Sequence, residues 1–221
     1  IGRVAPTLEA RWVVRVVDPE GALKARRGDL PVEVLELLDI LSPEWAGLTG
    51  SWAIAGEGPR SDVDLVVYGN HQAMRRALAD LRGEGLIAPC DVEYRYLKVA
   101  DKLSRQAYER LSALKTLDSC YKGVPYTLRV LRRTLREPCD GSAARLGVYE
   151  GPLRVTDIGE SHLTPARYRA ELGVGVAILE SWHTRYSELP EGSYRGRLEL
   201  FYTREGLIAT PDITGYLEGP L

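Results

Sequence analysis

Two short runs rich in apolar and β-branched residues, Trp45–Thr49 and Val63–Tyr68, read as β-strands, and the residues at their ends carry the chemistry. The first run delivers Gly50-Ser51, ten residues intervene, and the second is led in by Asp62-Val63-Asp64. Residues two apart on a strand project from one face, so both carboxylates point together while Val63 and Leu65 pack behind them. Two such groups repel each other unless a cation lies between them. Mg²⁺ suits the place, because it takes one or two carboxylates and completes its shell with water and substrate phosphates. Gly50 lacks the Cβ that would keep a phosphate off the backbone, and Ser51 adds a hydroxyl donor. The N–H groups of a helical turn following Ser51 would face the same anion.

The flanking pattern predicts a mixed α/β domain over 30–118. Asp29 is placed to cap a helix from Leu30-Pro31, with Val34, Leu35, Leu37, Leu38 and Leu41 inward and Ser42-Pro43 at its end. Gln72–Leu81 has the period of a helix, Asp91–Val99 reads as a third strand, and Leu103–Leu117 as a longer helix. Before these, residues 11–17 suggest a strand or hairpin, with a turn at Asp18-Pro19-Glu20-Gly21. Leu128, Leu131 and Leu135 sit at helical spacing, and so do Arg129, Arg132, Arg133 and Arg136. An amphipathic helix over 125–137 with an arginine face is therefore expected. Beyond residue 140 the apolar runs shorten between frequent Gly and Pro, which predicts a small, mainly antiparallel β domain, of barrel type. Thr203-Arg204-Glu205-Gly206 is a hairpin signal there, and Thr164-Pro165 is placed to start a short helix. The expected division is an extension over 1–29, a catalytic-type domain with a helical extension over 30–139, and a β domain over 140–221.

The Gly-Ser pair, the gap and the Asp-x-Asp strand resemble the signature of the nucleotidyltransferase superfamily. That superfamily includes DNA polymerase β, the CCA-adding enzymes and the minimal archaeal and bacterial nucleotidyltransferases. The match rests on Gly50, Ser51, Asp62, Asp64 and the apolar residues Leu65–Val67. Ala55-Gly56-Glu57 through Ser61 also looks like that family's usual lead-in, whereas Trp52 and the lack of a basic residue before Gly56 depart from it. The resemblance implies the nucleotidyltransferase fold over about 30–118. It implies transfer of a nucleoside monophosphate from a nucleoside triphosphate to a hydroxyl, with pyrophosphate released. Two Mg²⁺ ions would be held by Asp62, Asp64 and a third carboxylate on a later strand, which the resemblance assigns to Asp91 because it begins that strand, with Glu93 as the alternative. Lys98, Lys102 and Arg105 would then face the triphosphate tail, as would Gly50 and Ser51.

The formal net charge of −2 excludes a protein that coats nucleic acid through bulk charge. Residues 121–154 are locally basic, so the helix carrying Arg129–Arg136 is a candidate RNA contact. Cys90, Cys120 and Cys139 form no CxxC, and they are expected as buried, unpaired residues of a reducing cytoplasmic setting. His71, His162 and His183 have no metal-ligand spacing. No apolar run approaches the roughly 20 residues of a membrane span, and no signal-peptide pattern opens the chain. The alternative to an active transferase is a catalytically inactive module of the same fold that binds nucleotide or RNA. A further reading is an RNA-binding β domain with an appended helical layer.

Overall fold

The computed structural model describes residues 13, 15–54, 62–90, 92–97, 104–132 and 143–220. Asp18 does not sit in a turn. Its carboxylate accepts from the Gly21 N–H at 2.8 Å and caps α1 (Pro19–Arg26), where Pro19 occupies the position at which a missing N–H costs nothing. Residues 15–17 precede it without forming a strand. Helix α2 (Val32–Leu41) buries Val34, Leu37, Leu38 and Leu41, and stops at Ser42 in the left-handed region. It follows Pro31 with no side-chain cap, so Asp29 does not play the expected part. Strand β1 (Trp45–Thr49) runs directly into the short α3 (Gly50–Ile54). Then come β2 (Val63–Tyr68), α4 (His71–Gly83), capped by Asn70, and β3 (Ile87–Ala88).

Two expected elements are replaced. The third strand over 91–99 is instead helix α5 (Val92–Leu97). Its residues alternate apolar and charged, but Val92 and Tyr96, one helical turn apart, both pack against the second apolar cluster while Arg95 is buried beside them. Tyr96 meets Tyr108 of α6 (Arg105–Ser112) with ring centres 5.7 Å apart, and α6 is shorter than the helix expected over Leu103–Leu117. Where the arginine-faced helix was expected, the described residues form β5 (Val124–Leu131), paired with β4 (Asp118–Tyr121) through a turn at Lys122-Gly123. Both turn residues have positive φ, 48° and 86°, as a tight two-residue hairpin requires. As a central strand, β5 buries Tyr126, Leu128 and Val130 on one side and Thr127 on the other, which blurs the period of two. Arg129 and Arg132 therefore share no exposed helix face, and Arg133 and Arg136 lie outside the described residues.

The first sheet has the order β1-β2-β5-β4-β3. Only β2 and β5 run parallel, and α2 and α4 help to build the core beneath it. The second sheet comprises β6 (Ala144–Glu160), β7 (Ala166–Leu172), β8 (Gly175–Ser181), β9 (Gly192–Thr203), β10 (Gly206–Thr210) and β11 (Tyr216–Glu218). Strand β10 pairs with both β8 and β9, so five strands close into a ring of order β6-β7-β8-β10-β9, and the β8–β10 pairing is parallel. The molecule is thus mixed α/β with two mixed sheets. The hairpin at 203–206 joins β9 to β10 as expected, whereas Thr164-Pro165 leads into β7 and starts no helix. Cys90 and Cys120 are joined in a disulfide, against the expectation of unpaired thiols, and Cys139 lies outside the described residues. Among the described residues no helix is long and apolar enough to cross a membrane.

The second sheet is fastened over the first by polar contacts. The Glu188 carboxylate accepts from the N–H groups of Thr116 and Leu117, at 2.8 and 2.9 Å, and from the Thr116 hydroxyl. The Thr164 N–H donates to the Val130 carbonyl at 2.9 Å, and Lys115 donates to the carbonyl of Thr184. Together these bring the 3₁₀ turn Thr184–Tyr186 to the edge of the first sheet.

Candidate metal and phosphate site

A single row of paired residues crosses four strands of the first sheet: Thr49, Asp64, Thr127 and Asp118. Cross-strand neighbours share a face, so Asp64 and Asp118 flank Thr127. Asp62, two residues before Asp64, joins them. Its carboxylate lies 2.8 Å from the Thr127 hydroxyl, which is also 3.3 Å from Asp118. One hydroxyl carries one proton, so Thr127 donates to one of these acids at a time. Val63 and Leu65 are buried on the far side, which holds the Asp-x-Asp step in register.

Gly50 lies against this row with φ +66°, and a Cβ there would fall on the Asp64 carboxylate. The glycine is needed both for its backbone conformation and for close approach to the acid. Ser51 is exposed on α3.

Arg95 on α5 is the side chain that sequence reasoning missed most completely. Only 9% exposed, it pairs with Asp118 and lies 3.7 Å from Asp62. It also donates to the Tyr126 carbonyl at 3.5 Å. Residues two apart on a helix point in nearly opposite directions, so burying Arg95 turns Glu93 outward. Glu93 is 62% exposed and pairs with Arg105 at 2.8 Å, and it does not line the cavity described next. The other expected third carboxylate, Asp91, and the expected phosphate contacts Lys98 and Lys102 lie outside the described residues. Among those described, Asp118 is the acid that accompanies Asp62 and Asp64. Its signal was the hairpin dipeptide Lys122-Gly123, which marks a strand beginning near residue 118.

A cavity of about 280 Å³ opens over the row. The first sheet lines it with Asp62, Asp64, Asp118, Thr127 and Arg129, α5 with Arg95 and α6 with Tyr108. The segment after β8 contributes His183, Thr184 and Arg185. Three carboxylates and three guanidinium groups thus share one recess. Beside it, burial pushes the Lys115 ammonium down to about 7, with the charges of Arg95 and Arg185 adding to the effect and Glu188 opposing it.

Carboxylate oxygens are the donors that Mg²⁺ prefers, and Asp62, Asp64 and Asp118 line one cavity, so the chemistry of the donor set fits that ion. An ion shared by Asp62 and Asp64 would compete with Arg95 for Asp62. Comparison with protein-family models, with curated proteins and with solved structures gives no match for this chain.

Proposed function

We propose that the chain is a metal-dependent nucleotidyltransferase, with the first sheet and its helices forming a nucleotidyltransferase-type domain. It moves a nucleoside monophosphate from a nucleoside triphosphate to an acceptor hydroxyl and releases pyrophosphate. The observation that carries this reading is the Asp62-Val63-Asp64 step facing a cavity, with Gly50 packed on the Asp64 carboxylate and Asp118 completing an acidic trio. Asp62 and Asp64 would hold Mg²⁺, with Asp118 as the third acid. When bound, such ions lower the pKa of an attacking hydroxyl and neutralise charge on the phosphates. The chain itself supplies positioning. Gly50 and Ser51 admit the polyphosphate to the backbone, Thr127 fixes the carboxylate rotamers through its hydroxyl, and the cationic wall offsets the charge of the tail.

Replacement of either Asp62 or Asp64 by Asn should abolish pyrophosphate release from labelled triphosphate while leaving the melting midpoint nearly unchanged. Wild-type turnover in either variant would refute the assignment.

Arg95 favours a second reading, a module of this type that binds nucleotide without transferring it. Its guanidinium pairs with Asp118 and lies 3.7 Å from Asp62, so it offsets the charge of two of the acids that a metal would need. Titration with Mn²⁺ separates the two: in the non-catalytic case only an Arg95→Gln variant takes up the ion.

A further inference from the structure

Arg95 is committed to two of the three carboxylates in the cavity, and Arg129 and Arg185 are the other two guanidinium groups that line it. They come from separate parts of the chain. Arg129 stands on β5, two residues beyond Thr127 and on the same face of the sheet, and Arg185 stands on the 3₁₀ turn held by Lys115. Among the described residues neither guanidinium forms an ion pair. The Nε of Arg185 is fully buried without an acceptor, an unmet donor beside an open recess. Buried donors of this kind are ordinarily satisfied, and a forked guanidinium is matched best by an anion with two or more oxygens. The cavity, at about 280 Å³, falls below the roughly 300–1,000 Å³ of sites that enclose a whole small molecule. It suits one phosphate group or two in series.

We propose that Arg129 and Arg185 form a two-sided clamp for a phosphate group, closed by the docking of the second sheet on the first. The nucleotidyltransferase reading enters only in naming the carrier of that group, either the polyphosphate tail of the donor or a phosphate on the acceptor. The clamp itself can be tested without turnover and without divalent metal.

The test is calorimetric titration of the full chain with pyrophosphate in chelator-treated buffer. The wild type should bind, and Arg129→Gln and Arg185→Gln should each weaken binding about tenfold or more at an unchanged melting midpoint. Arg76→Gln, on an exposed turn of α4, should leave it unchanged. Wild type that fails to bind, or variants that bind as tightly as wild type, would overturn the clamp, as would an equal loss with Arg76→Gln. Repeating the titration with a non-hydrolysable triphosphate already bound identifies the carrier. Competition supports the donor tail and continued binding supports the acceptor. Pyrophosphate binding that survives beside an Asp62→Asn variant with full turnover would uphold the clamp and refute the placing of the metal site at Asp62, so the two can fail separately.

Discussion

Gly50 and Arg95 place opposite demands on the acids they touch. The glycine occupies a left-handed backbone conformation and leaves its Cβ space to the Asp64 carboxylate. Gly50→Ala therefore meets strain and collision together, and should cost about 1–3 kcal/mol in urea unfolding. A loss smaller than a few tenths would show that Asp64 can move aside freely. Arg95 spans Asp62 and Asp118, all three groups being largely buried. Its removal in Arg95→Ala leaves two facing carboxylates without a counter-charge, and should destabilise the chain by about 3–5 kcal/mol at neutral pH. Adding Mg²⁺ should recover part of that loss. A variant that unfolds at the wild-type urea concentration would show that the acids are neutralised by other means.

At the level of elements, the strands that bracket the Gly-Ser and Asp-x-Asp pairs were legible. Each is short and apolar, and each ends on residues with a strong local preference. The same holds for α2 and α4, whose buried stripes follow a period near 3.6. The elements misread were those whose partners decide their shape. Residues 92–97 alternate like a strand, but the cluster at Val92 and Tyr96 and the acids around Arg95 draw them into a helix. Residues 124–131 carry leucines at helical spacing, but they lie between β2 and β4, with the backbone paired along both edges. The turn Lys122-Gly123 was the local sign of that strand pair. With Gly123 at φ +86°, Gly123→Ala should cost about 1 kcal/mol, read from the urea midpoint. No change would mean that the turn has relaxed to another type.

On the scale of the whole molecule, the docking of the two sheets places His162 inside. It is 3% exposed, and its Nε2 lies 3.0 Å from Nδ1 of His71 on α4. Burial pushes its pKa down to about 4, with the charges of Arg75 and His71 contributing. Between the ordinary value of 6.5 and about 4, the unfolded chain takes up a proton that the folded one refuses. Stability should therefore fall as the pH drops through that window, by up to about 3 kcal/mol from this residue. His162→Gln should flatten the fall relative to wild type in urea midpoints measured from pH 7 to 4, and an identical slope would rule out the buried histidine as its source.

Read alone, the chain established the nearest-neighbour features: an Asp-x-Asp step with both carboxylates on one face, a glycine at the preceding strand end, and a β-rich final third. These follow from backbone periodicity and from which residues tolerate a tight turn, properties that act over a few positions. The third acid, the arginine that neutralises it and the cationic wall opposite were decided only when distant segments packed. Asp118 reaches Asp62 through Thr127, Arg95 reaches both from a helix, and Arg185 arrives from beyond residue 180. Charge pairing of this kind depends on distance in space, and separation along the chain carries no record of it.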